Sequence, residues 1–163
     1  MNILVLSDSH RDIKSVNRLL EIYAKQISVA AHLGDHAQDL LRFQNAYPKL
    51  RMLAVAGNCD GVSAAPDECL FRVNGRAILL THGHKQQVKS NTLRLEYFAM
   101  ENEADACLFG HTHCPASFDA GRVMFLNPGS IGYPRPGGFA SYALVSVSDE
   151  GVIRGTILQY NES

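Results

Sequence analysis

The residues best suited to chemistry fall in five short polar clusters, each at the end of an apolar run: Asp8-Ser9-His10, Gly34-Asp35-His36, Gly57-Asn58-Cys59-Asp60, Thr81-His82-Gly83-His84 and Gly110-His111-Thr112-His113. Two imidazoles one residue apart make a poor core motif, because each buried ring nitrogen needs a partner. They make a good ligand pair. Carboxylates, imidazoles and an amide oxygen together suit divalent first-row metals such as Mn, Fe, Ni or Zn, whereas an all-oxygen set would point to Mg or Ca. The candidate ligands are Asp8, His10, Asp35, Asn58, His82, His111 and His113. The set is too large for one tetrahedral ion and matches two ions that share a carboxylate. Such a pair, about 3.5–4 Å apart, can hold a hydroxide at neutral pH and clamp the attacking and leaving oxygens of a phosphoryl transfer.

The clusters need strands that end together. Ile3 to Leu6 reads as a buried strand delivering Asp8 and His10, and from Asp12, a plausible cap, the spacing of Ile13, Val16, Leu19, Leu20 and Tyr23 predicts a helix. Val29 to Leu33 delivers Asp35, a short helix is expected from Asp39 to Ala46 before Pro48, and Met52 to Ala56 delivers Asn58. This alternation predicts parallel βαβ units, in which sites lie outside the carboxyl ends of strands. Asn74-Gly75 then signals a hairpin between Glu68–Val73 and Arg76–Thr81, so the sheet becomes mixed. A helix is expected from about Ser90 to Asn102, a strand from Ala104 to Phe109, and further strands at Val123–Leu126, Ser141–Val147 and Gly151–Gln159. The Pro- and Gly-dense stretch Asn127 to Gly138 reads as a loop beside the site.

At 163 residues and 46% hydrophobic content, the chain is expected to form a single domain over residues 1–163. A formal charge of -1 excludes a diffuse basic field, so no strong nucleic-acid signal is present, although a local basic patch stays open. No apolar run approaches the roughly 20 residues of a membrane span, and the stretch Met1 to Asp8 has no basic leader and no long apolar region, so a cytoplasmic location is expected. Cys59, Cys69, Cys107 and Cys114 form no C-x-x-C pair and read as reduced thiols. Oligomeric state is not legible, and a homo-oligomer stays open.

In order, Asp8-x-His10, Gly34-Asp35, Gly57-Asn58, His82-Gly83 and Gly110-His111-x-His113 resemble the five motifs of the calcineurin-like metallophosphoesterases, most closely the small YfcE-like phosphodiesterases. The resemblance runs from Ile3 to about Arg135 and includes Asn127-Pro128-Gly129-Ser130. It implies a four-layer αββα sandwich, two mixed β-sheets flanked by helices. It also implies that Asp8, His10, Asp35 and His113 hold one metal, and that Asp35, Asn58, His82 and His111 hold a second, with Asp35 bridging. The activity implied is dinuclear hydrolysis of a small phosphodiester through a metal-bridging hydroxide, with Mn or Ni favoured and Fe or Zn as other candidates. The alternatives are a phosphomonoesterase with another general acid and a non-catalytic binding scaffold of the same fold.

This chain departs from the family's pattern at two places. The residue after the Asn ligand is usually His in the phosphatase branches, where it is thought to protonate the leaving group, and here it is Cys59. A thiol beside two dications is expected to ionise and could not serve as an acid, which weighs against monoester hydrolysis. The acidic residue often found three positions after the bridging Asp falls four positions on, at Asp39, to which no catalytic role is assigned. His36 and His84 adjoin candidate ligands and read either as support or substrate contacts or as solvated loop histidines. Arg135, in a rigid Pro-rich loop, is a candidate contact for a non-bridging phosphate oxygen.

Overall fold

The computed structural model describes residues 1–61 and 65–161. Strands β1 (Asn2–Leu6), β2 (Val29–His32) and β3 (Arg51–Ala54) alternate with helices α1 (Ile13–Tyr23) and α2 (Gln38–Leu41). The hairpin β4 (Glu68–Val73) and β5 (Arg76–Thr81) follows, then α3 (Leu93–Glu101) and β6 (Ala106–Leu108). The chain continues through β7 (Pro115–Ala120), β8 (Val123–Pro128), β9 (Ser141–Val147) and β10 (Ile153–Gln159). Two five-stranded mixed sheets result, ordered β10-β9-β1-β2-β3 and β4-β5-β6-β8-β7.

The layers follow from strand periodicity. Ile3, Val5, Val29 and Ala31 turn one face of the first sheet into a core shared with Ile78, Leu80, Ala106 and Leu108 of the second. The alternate residues Leu4, Leu6 and Ala30 pack against Val16, Leu19 and Leu20 of α1 and Leu40 of α2. Leu79, Cys107 and Phe125 meet Leu95 and Ala99 of α3 on the outer face of the second sheet. Asp12 caps α1, accepting the Ser15 backbone N–H at 3.1 Å and its hydroxyl at 2.6 Å. None of the helices among the described residues is long and apolar enough to cross a membrane.

Three local expectations are corrected. The helix expected over Asp39 to Ala46 is only Gln38–Leu41 followed by turns, because Ala37 supplies no side-chain cap and too few residues precede Pro48. The third strand stops at Ala54, since the Ala56 N–H bonds outward to the Pro66 carbonyl. Strand β7 was not expected: its alternating Ala116, Phe118 and Ala120 are only half-buried and form a short, weak apolar period, and it holds an edge position by antiparallel pairing with β8.

Strands β1, β2 and β3 run parallel, as do β5, β6 and β8, so their carboxyl ends carry Asp8, Asp35, Asn58, His82 and His111 out of the two sheets. The sheets are tied together there. The Asp8 N–H donates to the Gly34 carbonyl at 3.0 Å, the His111 N–H to Asp8 Oδ2 at 3.1 Å, and the Ser130 hydroxyl to the Asp8 carbonyl at 2.7 Å.

Candidate metal centre

The loops that leave these strands turn sharply. Asp8, His10, Arg11, Asp35, His36, His111 and His113 all have positive φ, between 45° and 74°, a region costly for residues with a Cβ. That strain is sustained by the surrounding bonds and turns the side chains toward one another. Close approach is also built in: a methyl at Gly57 would overlap the Asp35 carboxylate, and one at Gly110 would overlap the Ser7 hydroxyl.

Donor atoms of Asp8, His10, Asp35 and His113 all lie within 4.8 Å of one another. Asp35 faces two histidine groups, with Oδ2 3.7 Å from His10 Nε2 and Oδ1 3.4 Å from His82 Nε2. His82 Nε2 in turn lies 3.2 Å from His111 Nδ1, and His10 Nε2 lies 3.5 Å from His113 Nε2. Asn58 lines the same cleft, of about 420 Å³, but is exposed and donates its amide N–H to Cys59 Sγ at 3.4 Å.

The tautomers follow from backbone carbonyls. His82 Nδ1 lies 2.6 Å from the Leu33 carbonyl and His113 Nδ1 2.6 Å from the Tyr133 carbonyl, so each Nδ1 carries the proton. In the neutral rings each Nε2 then presents a lone pair. Asp8 Oδ1 is fully buried, has no hydrogen bond from any other group among the described residues, and sits 3.0 Å from His113 Nε2. Two acceptors at that distance require a cation between them, either a proton or a metal ion. The proton is one answer: the hydrogen bond to Asp8 raises the His113 pKa, against the effect of burial. The donor set, a buried carboxylate with imidazole lone pairs converging on it, equally fits a divalent transition metal.

Burial favours the neutral form at His10, His84 and His111, while hydrogen bonds and neighbouring histidines keep the Asp8 carboxyl ionised. Burial opposes the charge on Asp8, yet the His113 hydrogen bond, the field of His82 and the Ser7 hydroxyl together leave its pKa below the ordinary value. Burial lowers His10, against the fields of Asp35 and Asp8, and lowers His84, helped by His82 and Lys85. Burial, then His82 and Lys89, bring His111 down to about 4. In the metal-free chain Cys59 is pushed the other way from the pull two dications would exert. Burial, a hydrogen bond to Asp35 and the fields of Asp35, Asp60 and Asp8 push its thiol up to about 11.

The other singled-out residues are placed as follows. The His36 ring lies 5.5 Å from that of His10, and the His84 ring 5.3 Å from that of His82, with His84 Nδ1 buried and unpartnered. Arg135 lines the cleft, anchored by Nε on the Thr112 carbonyl at 2.9 Å.

Several supporting residues were not found from the sequence. Asp39 is buried and accepts the Ser9 hydroxyl at 2.8 Å and the Arg11 N–H at 2.9 Å, while buried His32 Nε2 meets Ser9 Oγ at 2.9 Å. Asp60 accepts the N–H groups of His36 at 3.0 Å, Ala37 at 2.9 Å and Gly57 at 2.8 Å, joining the Asp35 loop to the Asn58 loop. Asn127 donates to the Gly110 carbonyl at 2.9 Å and to the Thr112 hydroxyl at 3.0 Å, fixing the His111 turn. Lys89 and Tyr133 line the cleft. The sequence signals for these were the proximity of Asp39 and Asp60 to candidate ligands and the place of Asn127 in the Asn127-Pro128-Gly129-Ser130 stretch.

Comparison with known proteins agrees with this geometry. A calcineurin-like phosphoesterase superfamily domain matches residues 1–150. The chain is 33% identical over 151 residues to YsnB of Bacillus subtilis, named as a probable metallophosphoesterase, covering 92% of this chain and 86% of that protein. It is 26% identical over 187 aligned positions to the phosphodiesterase YfcE of Escherichia coli K12, covering 94% and 96%. A crystal structure of a predicted phosphoesterase from Streptococcus pneumoniae superposes with a TM-score of 0.82 at 32% identity, covering 97% of this chain and 88% of that one. With its motifs, two mixed sheets and a carboxylate–histidine cluster at the strand ends, the chain belongs to the calcineurin-like phosphoesterase superfamily.

Proposed function

We propose that the chain is one metallophosphoesterase domain that hydrolyses a small phosphodiester at a dinuclear centre. In this reading Asp8, His10, Asp35 and His113 would hold one divalent ion, and Asp35, Asn58, His82 and His111 the other. The observation that carries it is the Asp35 carboxylate, which turns one oxygen toward His10 and the other toward His82. Two ions held there would supply a nucleophile from water at neutral pH and neutralise charge on the phosphoryl oxygens.

The chain's own residues do the rest. The Leu33 and Tyr133 carbonyls keep the Nε2 lone pairs of His82 and His113 aimed inward. Asp60 and Asn127 hold the loops that present Asp35, Asn58 and His111, so the geometry is set before substrate arrives. Arg135, with Nε spent on Thr112, keeps its terminal N–H groups for a non-bridging phosphate oxygen. Cys59 replaces the usual histidine, so no imidazole follows Asn58 to protonate a poor leaving group, which favours aryl and other activated diesters.

The test is chelation followed by reconstitution, with bound metal counted by elemental analysis and turnover measured on bis(p-nitrophenyl) phosphate and p-nitrophenyl phosphate. Two ions per chain, restoration by Mn or Ni above Mg, and faster diester than monoester turnover are expected. One ion per chain, or full activity in Mg alone, would refute the ligand assignment. Monoester turnover above diester turnover would replace the substrate assignment.

A further inference from the structure

The candidate site has two unlike ends. His10, His36, His113 and Tyr133 cluster at one, with the Tyr133 ring 5.7 Å from His10 and 6.0 Å from His113. His82, His84 and His111 cluster at the other, with 4.9 Å between the rings of His82 and His111. Arg135 lies two residues beyond Tyr133, whereas Lys89 follows Val88, whose backbone N–H bonds to the carbonyl of Gly83, between His82 and His84. Lys89 therefore marks the second end.

Lys89 is held at the rim. Its neighbour Val88 is buried in the α3 core, and the Val88 N–H closes a turn onto the Gly83 carbonyl at 3.3 Å. Lys85, on the same segment, is paired with Asp67, and Arg76 is paired with Asp105. Lys89 and Arg135 line the cleft with no carboxylate partner among the described residues. Both are cations of the cleft lining left without a carboxylate, and a complementary ligand would bring negative charge to each.

We infer that the cleft takes a small phosphodiester carrying a second anionic group, a carboxylate or a phosphate, on one ester arm, and that Lys89 selects it. This rests on the phosphodiesterase reading above. Arg135, beside the Tyr133 end, serves the scissile phosphate, and Lys89 reads the arm at the opposite end.

The test is a matched pair of substrates, p-nitrophenyl 3-carboxypropyl phosphate and its carboxamide, which differ by one charge. The native enzyme is expected to favour the carboxylate about fivefold in kcat/KM, mainly through KM, as for an ion pair at the upper end of the exposed range. The ratio should fall toward one as salt is raised. Lys89→Ala should bring the ratio to about one and Lys89→Glu should invert it. A ratio of one in the native enzyme, or a ratio unchanged in Lys89→Ala, would overturn the proposal. Equal loss of kcat on both substrates would also overturn it, because that is the mark of a charge acting on the transition state alone. Calorimetric titration with the corresponding 4-nitrobenzylphosphonate monoesters reads the same preference in binding, without turnover of the aryl arm. If neither ester is hydrolysed the phosphodiesterase reading fails. If both are hydrolysed equally only the Lys89 assignment fails. Tetrathymidylate cleaved faster than the carboxylate diester would overturn the small-substrate class.

Discussion

A carboxylate that faces two histidine groups at once is a different object from one that pairs with a single cation. Asp35 is 2% exposed, and its Oδ1 accepts the Cys59 N–H at 2.8 Å, so its orientation is fixed by backbone before any ion arrives. Asp35→Asn keeps the shape and removes the charge and one oxygen acceptor. It is expected to weaken both metal sites and to cost about 10³-fold or more in turnover, with the circular dichroism of the folded chain retained. A metal titration still showing two tight sites would refute the bridging role. Cys59 is the contrasting case. The chain's carboxylates hold its thiol up to about 11, while neighbouring dications would pull it down. Either way an aryl leaving group needs no acid, so Cys59→Ala should change bis(p-nitrophenyl) phosphate hydrolysis by less than about tenfold, short of the 10²–10⁴ of general acid catalysis. A hundredfold loss at unchanged metal content would make Cys59 catalytic.

The loops that carry these residues are held by contacts between distant segments, and this separates what the sequence announces from what it hides. Strands β1, β2, β5 and β6 were legible because each is a short apolar run, and α1 because Ile13, Val16, Leu19 and Leu20 follow helical spacing. Strand β7 was not, because its inward residues, Ala116, Phe118 and Ala120, are few, mostly small and only half-buried, so their alternation is a weak signal. The Asp39–Ser9–His32 chain was hidden for another reason: its bonds join residues 23 to 30 positions apart, and nothing local marks them. Asp39 ties down Ser9 and the Arg11 N–H, on either side of His10, whose φ of 45° would otherwise relax. Asp39→Ala is therefore expected to weaken the ion on the His10 side by about 10- to 100-fold and to leave the His82 side tighter. Asp39→Asn, which keeps an acceptor for the Arg11 N–H, should recover part of that loss. Equal weakening of both ions, or none, in a cobalt titration followed by absorbance would refute the positioning role.

Across the whole molecule, two sheets pack face to face and end together, so one seam gathers histidines from both, and the cost of burying them neutral falls on the stability of the entire fold. The ordered motifs made this convergence legible, because five polar clusters at five strand ends require parallel strands that finish at one edge. What they did not reveal is which histidines are solvated and which are sealed in, since that depends on how the sheets close over them. His32 is the sealed one. It is fully buried at the end of β2, with Nδ1 accepting the Gly34 N–H at 3.2 Å and Nε2–H directed at Ser9 Oγ, so it has no place for a second proton. Burial lowers its pKa from 6.5 to about 4, against the fields of Asp8, Asp60 and Asp39. Above pH 6.5 neither the folded nor the unfolded chain binds that proton, and the full stability is present. Between 6.5 and 4 only the unfolded chain binds it, so stability is lost as pH falls, amounting to about 3 kcal/mol by pH 4. The lowered pKa values of His10, His84 and His111 act with the same sign, while the raised value of His113 adds stability in acid and loses it as pH rises. Urea unfolding in chelator at pH 7, 6, 5 and 4 should therefore show a steep acid loss in the native chain. In His32→Gln, whose amide can keep a bond to Ser9 without titrating, the slope between pH 6.5 and 4 should be visibly shallower whatever the variant's stability at pH 7. Parallel slopes for the two proteins would show that His32 is not the group that takes up the proton on unfolding.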